Sequence, residues 1–321
     1  MISIIMIVYD VEDYVEESIK SVLNQTYRDF ELILVVGEGP DRSEEICRKY
    51  AARDERIVLI TGPANGIADA RNQGMAAVRG DYLGFVDSDD YIEPDMFESM
   101  ISNIEKYDAD ISICGRFYEY RNRTLKDEAK ECVVLTADEA IGVTLSHEGF
   151  FLHCWDKLFS KKVFEGLSFR TDVKVEDRIV VDKLLSKADR IVYDSTPKYH
   201  FRERSGSNSK RRGMIRNNVI ANELMQDFIL KNHPAIADKC QKFMLYEYIT
   251  AVQNLITSEE NNAQDYAEYR DKIKVLSKEV GDGAGKVLKI KSFLAVYMPA
   301  VLKIYTGKML KSTADEYERF P

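Results

Sequence analysis

Three carboxylates fall within four residues at Asp87-Ser88-Asp89-Asp90, directly after the apolar run Tyr82-Leu83-Gly84-Phe85-Val86. Carboxylates that close repel one another, and burying them uncompensated is unfavourable by several kcal/mol. A hard divalent cation such as Mg²⁺ or Mn²⁺ would satisfy their oxygens. The competing reading is a polar turn in which Asp89 and Asp90 cap the helix that follows Pro94. The tetrad alone does not separate the two, because short acidic motifs recur by chance.

The surrounding pattern supplies elements that would position such a site. Residues 2–9, 30–36, 56–60, 82–86 and 110–117 are short β-branched apolar runs, as expected for buried strands. Between them lie helical periodicities over 14–25, from Ser43 (a possible cap) through Tyr50, over 67–78, and from Pro94 through Ile104. Alternation of strands and helices predicts βαβ units and an α/β, mostly parallel sheet flanked by helices. Ligands in such sheets bind at the carboxyl ends of strands, where Asp10, 37–41 and 87–90 all fall. The middle is less regular. Residues 150–159 carry the single tryptophan, 173–185 reads as an amphipathic helix headed by Glu176-Asp177, and Pro197 makes 190–202 an edge strand or loop.

Composition narrows the class. The 321 residues, 45% hydrophobic and 31% charged, are ordinary for a globular protein with room for a large domain and an appendage. A net charge of −9 argues against a general nucleic-acid binder. Five scattered cysteines without CxxC read as reduced structural thiols of a cytosolic protein, and four histidines without HxH or HExxH argue against a histidine-rich zinc site. Residues 2–9 lack the basic start of a signal peptide, and no apolar run is long enough to span a bilayer. Beyond about 211 only helical periodicity remains, over 219–230, 243–256 and 266–280. The segment 286–311 interleaves apolar residues with Lys286, Lys289, Lys291, Lys303, Lys308 and Lys311, with no acid between Asp282 and Asp315. It reads either as a helix docking on an anionic membrane or as a helix packed on the protein with solvated lysines.

Residues 1–210 resemble family 2 glycosyltransferases of the GT-A fold, the bacterial kind that build surface polysaccharides. The resemblance rests on Ile7-Val8-Tyr9-Asp10, Ser21-Val22-Leu23-Asn24-Gln25-Thr26-Tyr27, Ala70-Arg71-Asn72-Gln73-Gly74, Gly80-Asp81-Tyr82, the acidic tetrad with Pro94-Asp95, Trp155-Asp156-Lys157-Leu158, Glu176-Asp177 and Tyr199-His200-Phe201-Arg202, in order. It implies a GT-A nucleotide-sugar-binding and catalytic domain over 1–210. Residues 211–321 carry no family motif; their periodicity reads as a helical region, with docking on a membrane through 286–311, docking on a partner, and a homo-oligomer all left open. The resemblance also implies an inverting transfer of a sugar from a nucleotide-sugar donor, UDP-linked by default, to a hydroxyl of a saccharide or lipid-linked acceptor, in the cytoplasm or at the inner face of the plasma membrane. By the same resemblance Asp89 is the first choice of metal ligand for Mn²⁺ or Mg²⁺, with Asp87, Asp90 and His200 beside it. Val8, Tyr9, Asp10, Glu38, Arg71, Asp87 and Ser88 face the donor, and Trp155, Asp156 and Lys157 the acceptor. Asp177 is the general base with Glu176 as companion, since single displacement needs one base.

Two departures stand out. Where the family has Asp-Asp-Gly-Ser after the second strand, with an aspartate that bonds uracil, this chain runs Val35-Val36-Gly37-Glu38-Gly39-Pro40-Asp41, so Val36 and Gly37 replace the usual aspartates. Asp10 stands for the common asparagine. The altered loop motivates an alternative, a GT-A domain acting as the non-catalytic partner subunit of another glycosyltransferase. A nucleotidyltransferase is disfavoured, because residues 10–14 form no Gly-rich, basic loop.

Overall fold

Every second residue of the first apolar run meets a different face. The computed structural model describes residues 1–205, 213–258 and 262–320, the side chains of 309–315 excepted. The boundary expected at 210/211 and the side chains of Leu310 and Lys311 lie outside the described residues. The chain divides into two compact units. Unit 1 comprises Met1–Glu119, Thr124–Thr144 and Gly149–Glu203, and unit 2 comprises Tyr120–Arg123, Leu145–Glu148 and the described residues from Arg204 onward.

In unit 1, β1 (Ile2–Val8), β2 (Phe30–Val36), β3 (Ile57–Thr61) and β4 (Tyr82–Phe85) run parallel in the order β3-β2-β1-β4. They are joined through α1 (Val15–Leu23), α2 (Ser43–Ala51) and α3 (Ile67–Ala76). Ile4, Met6, Leu32 and Leu34 belong to one buried cluster with Val15, Ile19 and Val22 of α1. On the opposite face Ile5 and Val35 meet α3, whose Gly74 allows the approach: a Cβ there would stand 2.8 Å from Ile5 Cγ2. Because β2 and β4 flank β1 on opposite sides, the chain reverses direction across the sheet at β1 and β4. The carboxyl ends of those strands therefore border the ligand-binding crevice of α/β sheets.

The rest of the sheet is mixed. β4 pairs antiparallel with β9 (Lys157–Ser160), β9 antiparallel with β6 (Ile111–Glu119), and β6 parallel with β10 (Ile191–Arg202), which carries β5 (Tyr91–Ile92) at its outer side. The short β7 (Thr124–Lys126) and β8 (Val133–Leu135) add antiparallel to β6 and β10, and α4 (Met96–Tyr107), α5 (Ala137–Thr144) and α6 (Glu176–Lys187) precede β6, β9 and β10 along the chain. The sequence gives no hint of β9, which is half charged or polar. Pro197 does not end its strand, since β10 is twelve residues long, but it does lie at a local edge: strand neighbours on the outer side reach only 191–193 and 199–200, and the register against β6 shifts on both sides of the proline. Bulges are where a sheet tolerates a residue without an N–H. Gly115 opposite makes the room, since a Cβ there would collide with the Ser195 carbonyl. Ser43 does not cap α2 as expected. It is the first helical residue, and its hydroxyl accepts the Val11 N–H and donates to Asp41 (2.7 Å).

Unit 2 is helical: α7 (Met214–Asn232), α8 (Ala237–Thr257), α9 (Ala263–Val280), α10 (Gly285–Tyr297) and α11 (Pro299–Glu316). Asn262 caps α9 by accepting the N–H groups of Gln264 and Asp265. The basic apolar segment is two helices rather than one. Met298 leaves the helical region (φ −137°, ψ 55°) ahead of Pro299, as a residue preceding proline is pressed to do. No helix among the described residues is long and apolar enough to cross a membrane.

Candidate active site

The acidic tetrad sits where β4 gives out. Gly84 lets Phe97 close over the strand, with 2.7 Å from its ring to a would-be Cβ. Val86 donates to the Ile5 carbonyl (3.1 Å), and a tight turn follows in which the Asp90 N–H bonds the Asp87 carbonyl (3.1 Å). Asp87, Asp89 and Asp90 offer oxygens within 4.8 Å of one another, and no other such acidic or histidine trio occurs among the described residues. Ser88 beside them is buried.

Asp90 differs in kind from its two half-buried neighbours. It is enclosed, and it holds the turn in place: Oδ2 accepts from the Tyr199 hydroxyl (2.9 Å) and Oδ1 from the Arg202 N–H (2.8 Å). The same Tyr199 hydroxyl accepts the Asp87 N–H (3.0 Å), and Arg202 Nη1 donates to the Asp89 carbonyl (2.8 Å). Burial, then the charges of Asp89 and Asp87, push the Asp90 carboxyl well above the ordinary aspartate range. On the turn so fixed, the half-buried carboxylates of Asp87 and Asp89 converge as a hard, all-oxygen set of the kind that suits a small divalent cation, both Asp90 oxygens being already engaged.

Arg71 joins this turn to the second acidic pair. It projects from α3, is 5% exposed, and pairs with Glu176 (2.6 Å), with Asp177 and, at 3.8 Å, with Asp87. Its guanidinium also lies over the Phe169 ring (5.3 Å). Burial opposes its charge, yet the surrounding acids raise it above the ordinary arginine value. Glu176 and Asp177 open α6 (Glu176–Lys187), where the helix dipole favours carboxylates. The neighbouring Asn72 clamps the approach to α6 with two bonds, donating to the Phe169 carbonyl (2.8 Å) and accepting the Phe169 N–H (2.9 Å). The resemblance puts Arg71 on a donor phosphate; in the structure its guanidinium faces three carboxylates.

The expected donor residues after β1 and β2 come together as a rim. Tyr9, Asp10 and Glu38 are exposed, Asp10 with φ 55°, and a Cβ at Gly37 would lie 3.3 Å from the Tyr9 ring. Val8 has a buried side chain and spends its carbonyl on the Gly37 N–H, so it shapes the rim without facing it. Asp41, held below the usual carboxylate range despite burial by bonds from Ser43 and Glu12, belongs to the loop's own framework.

Two groups of expected site residues are corrected. His200 stands apart from the Asp87-Asp89-Asp90 cluster: its ring is stacked between Tyr91 (4.1 Å) and Phe117 (4.2 Å), and its nitrogens meet Glu119 (2.8 Å) and Glu93 (2.9 Å). The alternation of β10 points Tyr199 toward the turn and His200 away. Trp155, Asp156 and Lys157 do not line an acceptor surface, because all three are buried. Trp155 stacks on Tyr199 (4.3 Å) and His153 (5.2 Å). Lys157 spends its three protons on Asp156 (2.6 Å) and on the carbonyls of Phe151 (2.7 Å) and His153 (2.8 Å). It thereby fixes the loop that presents His153, the exposed outer member of the aromatic stack, which sequence reasoning passed over.

The sequence profile of glycosyl transferase family 2 matches residues 3–168, more than half of the chain. The chain belongs to this family. It is 36% identical over 214 residues to the uncharacterized glycosyltransferase EpsJ of Bacillus subtilis, covering 64% of this chain and 62% of that one. It is 32% identical over 219 residues to the glycosyltransferase GlyA of Streptococcus pneumoniae, covering 65% of this chain and 31% of that one. The chain therefore spans under two thirds of these relatives. S. aureus TarS 1-349, solved in complex with UDP-GlcNAc, superposes with a TM-score of 0.73 at 17% identity, covering 100% of this chain and 93% of that one. The fold is GT-A, a mixed sheet flanked by helices with a helical C-terminal region.

Proposed function

We propose that this family member is a metal-dependent, inverting glycosyltransferase. Its donor is a nucleoside-diphosphate sugar, UDP-linked in the first instance, and its acceptor a hydroxyl of a saccharide or lipid-linked saccharide in bacterial surface polysaccharide synthesis, on the cytoplasmic side. The observation that carries this reading is the Arg71 link between Asp87 and the Glu176-Asp177 pair, which brings both acidic groups into one site. The UDP-GlcNAc complex of TarS, a protein of like fold, supports the donor class.

Asp89 and Asp87 would hold Mn²⁺ or Mg²⁺, with Asp90 fixing the turn. The cation supplies Lewis-acid stabilisation of the leaving diphosphate. Asp177 accepts the proton of the acceptor hydroxyl. The hydroxyl oxygen forms the new bond to the anomeric carbon from the side opposite the diphosphate, and the bond to the phosphate oxygen breaks with its electron pair. Arg71 and Asn72 hold Asp177 and its loop in register, while Tyr9, Asp10 and Glu38 border the nucleoside in place of the missing aspartates.

Two measurements test this. Calorimetry with Mn²⁺ and UDP should show binding that Asp89→Ala removes, and a panel of sugar nucleotides with oligosaccharide acceptors should yield UDP release that Asp177→Asn abolishes with binding intact. Neither binding nor turnover, with co-purification of a related glycosyltransferase, would establish the partner-subunit alternative instead.

A further inference from the structure

Among the described residues, half of the exposed large apolar side chains lie within 287–305. Val287, Ile290, Phe293, Tyr297, Val301 and Ile304 are all exposed, Val287 by 69% and Ile290 by 61%. They lie on α10 and α11, where Leu288, Ser292, Ala295 and Val296 mark the opposite, buried face of α10 at helical spacing, and Leu302 and Thr306 that of α11. Within unit 2 that inner face is tied down: the Tyr266 hydroxyl donates to the Ala295 carbonyl (3.2 Å), and Gln253 Nε2 to the Thr306 hydroxyl (3.0 Å). The apolar stripe is therefore an outward face on firmly seated helices.

Its charge chooses the occupant. On α10 Lys289 and Lys291 flank the stripe on either side and Lys286 stands at its start, while Lys303 and Lys308 continue the pattern on α11. No acid occurs between Asp282 and Asp315, in a chain whose net charge is −9. Lys289 pairs with the exposed Asp282 (2.6 Å), a surface pair that an anionic surface would easily replace. Beside the stripe, Lys274, Lys278 and Lys289 border with Asp282, Phe293 and Tyr297 an open cleft of about 410 Å³, three cations to one acid beside two aromatic rings. A second copy of this chain would bring the same lysines face to face, and an ordinary soluble surface would not expose so much apolar area in one stripe.

We propose that α10 and α11 lie in the headgroup layer of an anionic lipid bilayer, the stripe Val287-Ile290-Phe293-Tyr297-Ile304 dipping into the acyl boundary and the lysines on the phosphates. α10 has thirteen residues and a break precedes α11, so the pair rests in the plane of the membrane rather than crossing it. The inference does not depend on the catalytic reading, although it would place the enzyme where lipid-linked acceptors are found.

The test is flotation of the full chain with vesicles of phosphatidylcholine and phosphatidylglycerol in equal parts, against pure phosphatidylcholine. Binding should occur on the anionic vesicles, weaken with salt, and fall at least tenfold in Phe293→Asp/Ile304→Asp. It should fall to a similar degree in Lys286→Gln/Lys291→Gln/Lys303→Gln, given roughly fivefold per lysine near an anionic surface. Far-ultraviolet circular dichroism should show both variants folded, and UDP release with a water-soluble acceptor should match the parent. Equal binding by parent and apolar variant would overturn the proposal. So would absence of vesicle binding with concentration-dependent self-association that Phe293→Asp/Ile304→Asp abolishes, which would make the stripe a contact between copies.

Discussion

Replacing Arg71 with methionine tests the central link of the site. Methionine keeps the aliphatic stem and the contact with Phe169 but removes the charge that faces Glu176, Asp177 and Asp87. Deleting one partner of a buried ion pair destabilises by about 3–5 kcal/mol, because the other charge stays buried without compensation. Glu176 is locked inside, whereas Asp177 is partly exposed and can turn to water, which sets the expected loss at about 3–4 kcal/mol. Neutralising the stranded partner in Arg71→Met/Glu176→Gln should recover roughly 2 kcal/mol of this, a coupling that independent sites would not show. Urea unfolding followed by Trp155 fluorescence is the assay, since the single tryptophan lies in unit 1 and reports on that unit alone. A loss under about 1 kcal/mol, or strictly additive variants, would refute the argument that Arg71 holds the two acidic groups together.

Two further outcomes follow from buried hydrogen bonds. Tyr199→Phe removes one hydroxyl that serves both Asp90 and the Asp87 N–H; it should lower stability by about 2–3 kcal/mol and weaken Mn²⁺ binding measured by calorimetry, while unchanged Mn²⁺ affinity would count against a turn held rigid by Tyr199. Glu31 is buried, yet bonds from Ser3 (2.6 Å) and Arg79 (2.7 Å) outweigh that burial and hold its carboxyl below the ordinary 4.5. A depressed folded-state value means that its contribution is present above the unfolded value and lost as pH falls through the folded one. Glu31→Gln should therefore be less stable than the parent by roughly 2 kcal/mol at neutral pH, with the gap closing as denaturation curves are taken below the ordinary glutamate range.

The parallel half of the sheet was legible because its strands are local runs with one dominant property. Ile2–Val8 and Phe30–Val36 can do little other than be buried. The acidic turn leaves a trace in residue type, three carboxylates crowded at a strand end, whereas Arg71 and Glu176 are legible only through the family motifs that hold them. What escaped depends on how loops and strands come together in three dimensions. Lys157 looks like a surface lysine until the loop 151–156 folds three acceptors round it, and His200 looks like a ligand until Glu93, just past β5, and Glu119 of β6 reach it from more than eighty residues away. Trp155 was expected to meet a sugar and instead meets Tyr199, forty-four residues on, while the neighbouring His153 takes the exposed place. The division of 286–311 into two helices was readable from Pro299, whose effect on the residue before it is local.

The irregular pairing of β10 with β6 has a bearing on how this chain tolerates change. Between the pairs Asp194↔Cys114 and Tyr199↔Arg116, β10 takes three steps more than its neighbour, an odd number. Side chains alternate along a strand, so that odd surplus decides which of Tyr199 and His200 looks toward the acidic turn. Losing one residue from 195–198 would exchange their places and strand Asp90, although none of those residues touches it. Gly115 and Pro197 are thus bound into a compensating pair: a side chain at 115 is acceptable only on a background in which the bulge has also been removed. Lineages should then cross between the two arrangements through joint changes at both positions and seldom through either alone, so the history of a remote kink is written into the permitted alphabet of the site.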